Sequence, residues 1–444
     1  MNFEQLQTQL TGSLTLADEP HWDHARASWN LSVDQRPAAV VEADGVEDVQ
    51  AVVGFAAEHG LRVAPQSTGH GSEPLGSLEK AVLLRTGRLR EVSVDDQTGV
   101  ARVGAGALAQ DVAGRLADRA AVLGVAPTVG VTGLCLWGGV GWLSRTHGLA
   151  CNNVVEFDVV LPDGETARVD QQSNPDLFWA LRGGGGRCAV VTAIKVRTHP
   201  VPAMWGGMLM WPSEEMASVL ERFLSLTAEA PDSLNLIFRY LSVPDVEGPP
   251  PQLRGRQFAV IVVVNLGGER ESAELIAPLR AGAPAIDTCG PIGTVDLVRV
   301  AGDPEDPIPA LGAGFLLGDV DANAISRLAD AVDGAPLTVL EVRHLEGALS
   351  RPPADAGAMA TADGRFSLFA GGAAPTPDAR STVEATLADV RRTLDPWASP
   401  LALLSSAPSG TRPADCFEKD TWERLESIER AHDPGRLILS NRDD

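Results

Sequence analysis

The chain reads as an α+β protein in two unlike halves, and three features predict this. Residues 37–65 spell strand, helix, strand; Pro200-Val201-Pro202 punctuates the middle; and beyond it six apolar runs alternate with four amphipathic stretches. The first half therefore predicts α/β packing, and the second an antiparallel sheet with helices on one face. At 444 residues and 44% hydrophobic content, the chain can fill two or three cores.

In order, residues 37–42 form the first predicted strand. Asp44 sits three positions before Glu47, the pattern of a capping box, and Val46, Val49, Val52, Val53, Ala56 and Ala57 share one helical face up to Gly60. Residues 61–64 form the next strand. Strands at 81–85, 91–94 and 100–104 precede a helix near 107–122. Residues 154–161 and 165–169 flank Pro162-Asp163-Gly164, an Asp-Gly hairpin signal, and 189–196 is a further strand. The second half predicts strands near 204–211, 234–241, 257–265, 312–317, 337–344 and 365–370. Its helices fall near 214–229, 270–280, 321–333 and 378–394. A last helix at 418–432 leads through Asp433-Pro434-Gly435 to a short apolar run at 437–439. The expected units are 1–200 (core about 33–199), 201–411, and a tail, 412–444, returning to the first unit.

Composition excludes some functions. A formal charge of −23 opposes nucleic-acid binding, which needs a basic surface. No basic leader with an apolar core opens the chain, and no apolar stretch has transmembrane length, so no membrane partner and a cytoplasmic location are expected. Five scattered cysteines without a C-x-x-C pair indicate neither a zinc site nor a disulfide framework, and the His21-Trp22-Asp23-His24 cluster lacks further ligands; no metal is expected.

The chemistry concentrates in two small-residue segments. The first is Gln66, Ser67, Thr68, Gly69, His70 and Gly71, directly after a strand. Such a loop lets main-chain N–H groups approach phosphate oxygens, and a histidine within it has its ring free to act on what the loop holds. The second runs from Gly124 to Gly148 and includes Pro127, Thr128, Val129, Gly130, Thr132, Gly133, Gly138, Gly139, Gly141 and Trp142. So many glycines would weaken a packed helix or strand, and predict main chain wrapped around a large flat ligand.

With Asn30 to Pro37, Gly104-Ala105-Gly106, Gly148 to Val154 and the run from Asn174 to Gly186, these pieces form an ordered series. It resembles the FAD-linked oxidases of the vanillyl-alcohol-oxidase superfamily, in particular the berberine-bridge-enzyme-like branch. The resemblance implies a PCMH-type FAD-binding domain of two α/β subdomains, followed by a substrate domain whose sheet roofs the flavin. It implies that loop 66–71 cradles the pyrophosphate and that His70 bonds covalently to the flavin, or else only hydrogen-bonds to it. It also implies that 127–133 and 138–142 line the cofactor, that Asn153, Val154, Val190 and Val191 give backbone contacts, and that Asn441 lies near the ring.

Two departures from that pattern matter. A second, cysteinyl link found in many relatives would fall at Ala126, so a link through His70 only is expected. The family's tyrosine base would fall at Leu403, with Ser405 two residues on, and the chain's single tyrosine is Tyr240. In the run 339–344, Glu341 and Arg343 share one strand face, and Val342 and His344 the other. If the first face meets the flavin, Glu341 and Arg343 line the pocket; if the second does, His344 is the base. Val129 aligns with a residue thought to gate oxygen, which favours O2 as acceptor. The readings are an FAD oxidase acting on a C–H beside O or N of a small molecule, such as a natural-product intermediate; an FAD dehydrogenase; or a flavoprotein that binds a ligand or cyclises it without net redox change.

Overall fold

The computed structural model describes residues 3–440 and 442, apart from 202 and 333. Its first half carries two main sheets. In the smaller, four strands run in the order Ser13–Thr15, Ala39–Glu42, Ala81–Arg85, Arg62–Gln66. Ala81–Arg85 pairs in parallel with both neighbours, so Ala39–Glu42 and Arg62–Gln66 need a crossover, which helix Val46–His59 supplies. Its apolar stripe, Val49, Val52, Val53 and Ala56, is fully buried. Gly60 closes it in the left-handed conformation, at φ 67°.

The capping box expected of Asp44 and Glu47 does not form. The N-cap is Gly45, and the carboxylate of Asp48 instead accepts N–H bonds from Asp44 at 2.8 Å, Thr11 at 2.8 Å and Gly12 at 3.0 Å. These bonds hold its pKa below the usual value against the opposing effect of burial.

The second sheet is antiparallel: Val92–Asp95, Val100–Gly104, Val190–Arg197, Val154–Val160, Thr166–Val169. The helix expected over 107–122 shortens to Ala109–Ala113. The chain turns at Gly114 and Ala117, and Arg119–Ala120 then pairs with His199–Pro200, a contact no local pattern announces. The glycine-rich stretch is also less irregular than expected, for it contains the short helices Val131–Leu136 and Ser144–His147.

The second half is built on one sheet of eight strands, with the antiparallel path Trp205–Pro212, Gln257–Asn265, Leu234–Ser242, Val339–His344, Phe366–Ala373, Ala310–Leu317 at its centre. Helices Met216–Thr227, Ala322–Val332 and Pro377–Leu394 cover one face. Leu236, Phe238, Leu340, Val342 and Leu368 fill that core. The expected helix at 270–280 breaks into Glu269–Leu275 and Ala277–Arg280, because Pro278 stands at the start of the second piece. The opposite face of the sheet, with Met210, Ile237, Val260 and Val262, packs into the core of the first half.

After helix Lys419–His432 the tail lies along strand Arg62–Gln66. The Val63 N–H donates to Leu437 O and the Leu439 N–H to Val63 O, each at 2.8 Å. The last apolar run thus extends the sheet whose strand feeds loop 67–71.

Candidate active site

Strand Arg62–Gln66 ends where parallel pairing stops, the place where α/β sheets open a crevice for ligands. The next five amides, Ser67 to Gly71, donate to no acceptor among the described residues. Carbonyls of the same loop are held: Thr68 O accepts from the Trp29 amide at 2.9 Å, and Gly69 O from the Ser72 amide and hydroxyl. The loop is therefore anchored by its acceptors and presents its donors, the arrangement of an anion nest. Gly69 is required, since its φ is 84° and a Cβ would come within 2.7 Å of Ser28 Cβ.

His70 stands within this nest. Its Nδ1 lies 2.8 Å from Thr68 Oγ1 and its Nε2 3.5 Å from Thr128 Oγ1, while Trp29 stacks on the ring at 4.2 Å between centroids. Burial lowers its pKa to about 4, so the imidazole is neutral at pH 7 and keeps a lone pair. Thr128 brings in the second glycine-rich segment. Gly130 packs on the loop so closely that a Cβ would sit 3.2 Å from Ser67 Oγ. Gly130 caps helix Val131–Leu136 without a side-chain bond, so the amides of Thr132 and Gly133 stand free at the helix start.

Three buried polar atoms at sequence-predicted cofactor positions lack a partner: Gln66 Nε2, Thr132 Oγ1 and Trp142 Nε1. Leaving such groups unpaired costs about 1–3 kcal/mol each. Together with the free amides they fit a polar, phosphate-bearing cofactor such as FAD.

Other candidates are occupied by the protein's own structure. Gly141 donates to Ser144 Oγ, and a Cβ there would lie 1.6 Å from Leu123 O; Gly138 and Gly139 face Met359 and Leu134. Asn153 donates to His147 O and Leu149 O and contacts His199 Nε2 through Oδ1, leaving only main chain for a ligand. Val154, Val190 and Val191 are buried ladder residues, and Pro127 is buried beneath the turn that carries Thr128. Val129, half-buried, lies against Gly124. Asn441 lies outside the described residues. All five cysteines are unpaired, and burial pushes Cys151 up to about 12.

The sheet roof resolves which face of Val339–His344 looks inward. Glu341 and Arg343 lie on the face toward the first half, where Arg343 Nη1 lies 3.4 Å from Val140 O. Glu341 is clamped by Arg239 at 2.7 Å and Arg343 at 2.8 Å, and Arg239 also binds Asp303 at 2.9 Å. Burial opposes the charge of Glu341, but Arg343 and Arg239 outweigh it and hold its pKa below the ordinary value. A carboxylate so stabilised is a weak base.

His344 takes the other direction. Its ring is buried beside Phe366, with Nε2 3.1 Å from Arg145 Nη1 and 2.6 Å from Glu346. Burial, then Arg145, lower its pKa to about 4 against the opposing Glu346. Arg145 itself donates to the carbonyls of Leu234, Ala230, Pro231 and Leu345, so this end of the strand is a joint between the two halves. Tyr240 is buried in the core beneath the helices.

Comparison with known proteins agrees with this geometry. The family model of the FAD binding domain matches residues 37–170. Glucooligosaccharide oxidase of Sarocladium strictum is 37% identical over 190 residues, 42% of this chain and 38% of its own length. (R)-6-hydroxynicotine oxidase of Paenarthrobacter nicotinovorans is 30% identical over 230 residues, 51% of this chain and 50% of its own. Residues 37–170 thus carry an FAD binding domain, and the chain is similar to members of the PCMH-type FAD oxidase superfamily. Its fold is that of the berberine-bridge-enzyme-like protein 1 of Physcomitrella patens, with a TM-score of 0.88 at 18% identity, covering 100% of this chain and 98% of that one. The curated relatives named here are matched over half their length or less.

Within this fold, sequence reasoning missed Trp29 and Arg239. Trp29 stands 41 residues before the histidine it stacks on (70 − 29), and Arg239 reads as an ordinary strand residue. Adjacency to Asn30, the first residue of the resembling series, was the available signal for Trp29. For Arg239 there was none.

Proposed function

We propose that the chain is an FAD-dependent oxidase that holds its cofactor through His70 alone and oxidises a C–H beside O or N of a small molecule. The observation that carries this reading is the run of five free amides surrounding a neutral imidazole, with the free amides of Thr132 and Gly133 close by. Bound FAD would supply the two-electron redox chemistry.

The chain's own residues bind and orient. Ser67 to Gly71, Thr132 and Gly133 would hold phosphate oxygens through N–H groups, which suits a site with few basic side chains. Thr68 and Trp29 fix the His70 ring, one at Nδ1 and one across its face. A neutral ring nitrogen is the nucleophilic form, so burial keeps His70 ready to bond at neutral pH. Ala126 and the buried, protonated thiols of Cys135 and Cys151 support a single link. With Glu341 pinned between arginines and His344 turned into the joint, the substrate proton passes to water or is already absent. Val129 supports O2 as the acceptor, by its alignment with the gating position. The small-molecule substrate would lie between the cradle and the sheet roof.

Acid precipitation tests the link. The pellet of wild-type protein should stay yellow, and that of His70→Ala should be colourless with the flavin in the supernatant. Anaerobic bleaching by substrate with peroxide formed in air would support oxidase chemistry; spectral perturbation without bleaching would favour a ligand-binding flavoprotein.

A further inference from the structure

Phe369 is one of few large apolar side chains left exposed, at 38%, and it lies on the inward face of the sheet. Register places it opposite Glu341 and beside Gly314, in the row that continues through Arg239, Val260 and Met210. Its neighbours Leu368 and Ala370 point the other way, into the core beneath the helices. The ring folds over two glycines. A Cβ on Gly312 would come within 2.5 Å of its Cζ, and one on Gly371 within 3.2 Å of its Cε1. One ring face therefore rests on bare main chain, and the exposed remainder of the ring lies on the side of the sheet that faces the first half.

Contacts tie this part of the sheet to the cradle. Asn30 Oδ1 accepts from the Ala310 amide at 3.3 Å, at the edge of the strand carrying Gly312. The preceding residue, Trp29, is the one stacked on His70.

The charges on this face are spent. Arg239 and Arg343 are matched by Glu341 and Asp303, two cations against two carboxylates linked in one chain from Asp303 through Arg239 and Glu341 to Arg343. A charged substrate would find these four groups already matched to one another.

We propose that Phe369, laid over Gly312 and Gly371 beside a closed ion network, is the platform for an uncharged aromatic ring of the substrate. The proposal rests on the oxidase reading for its setting, and assigns it a substrate class. An aromatic ring stacks on Phe369 in an offset or edge arrangement, and the neutral network sets the polarity around it without binding the substrate's charge.

Calorimetry under nitrogen on the purified holoprotein, its flavin reduced beforehand with dithionite, reads binding apart from turnover. The probes are 4-methoxybenzyl alcohol and 4-methylphenol as neutral aromatics, 4-(hydroxymethyl)benzoate as the anionic analogue, and cellobiose as the neutral sugar. The neutral aromatics should bind at least 10-fold more tightly than the benzoate or cellobiose. Phe369→Ala should weaken them about 10-fold, and Phe369→Tyr should restore them. Equal or tighter binding of cellobiose or the benzoate, or an unchanged Kd in Phe369→Ala, overturns the proposal. A colourless acid pellet from wild-type protein would instead count against the histidyl link, whatever the calorimetry reads.

Discussion

The cradle and the roof are built on opposite economies of polar groups. In the cradle, five consecutive amides and the buried Gln66 Nε2 and Thr132 Oγ1 have no partner among the described residues. In the roof, Arg239, Glu341, Arg343 and Asp303 satisfy one another within 3 Å. Buried groups without partners cost free energy until something binds, whereas a closed network costs desolvation once and is then inert. The contrast teaches where recognition resides. The cradle is shaped to be completed by a ligand, and the roof is complete already, so it contributes shape and neutrality.

Breaking the roof should have the largest effect on stability. Arg239→Met leaves buried Glu341 with Arg343 alone and takes the partner from half-buried Asp303, and should cost about 3 kcal/mol in denaturant unfolding, with the acid-stable flavin retained in what folds. A loss below about 1 kcal/mol would show that the network is solvated and the contrast overstated.

Glu341→Gln should cost less, about 2 kcal/mol at pH 7, and should change the response to acid. The folded pKa of Glu341 lies below its ordinary 4.5, so its contribution is fully present above that pH. It is lost as pH falls through the lower folded value, where the native carboxylate must finally take a proton. Wild type and variant should therefore converge in stability on acidification below pH 4.5, and parallel curves would mean that the Glu341 charge does not stabilise the fold.

The cradle should respond the other way. Thr132→Val removes a buried hydroxyl that has no partner, so the apoprotein should change by less than about 0.5 kcal/mol while flavin retention before linkage weakens by roughly 1 kcal/mol. Fluorimetric titration of apoprotein with FAD, in a His70→Ala background, separates the two. Thr68→Ala should have the smallest effect, about 0.5–1 kcal/mol on the placement of the His70 ring, read as slower covalent incorporation with unchanged unfolding.

Much of the fold was legible because local patterns carried it. Strands Ala81–Arg85, Val100–Gly104 and Gln257–Asn265 fall where alternation and apolar runs place them, and helix Val46–His59 stops at its glycine. The helix expected over 107–122 was not, because its second half is taken by the pairing of Arg119–Ala120 with His199–Pro200, some eighty residues away. The capping box failed for a similar reason: Asp48 serves amides of residues 11 and 12 as well as its own turn.

The sequence alone determined the α+β architecture, the family resemblance and the loop around His70, since glycine spacing and apolar periodicity are local properties. It also established that a family tyrosine and a second cysteinyl tether are absent from their positions. Only the tertiary structure decided which face of Val339–His344 turns inward, that Glu341 is neutralised by Arg239 from a neighbouring strand, and that His344 belongs to the joint with Arg145. Alternation along a strand divides residues into two sets but does not say which set meets the ligand. That choice depends on what each face packs against, and those partners lie roughly one to two hundred residues away in the chain.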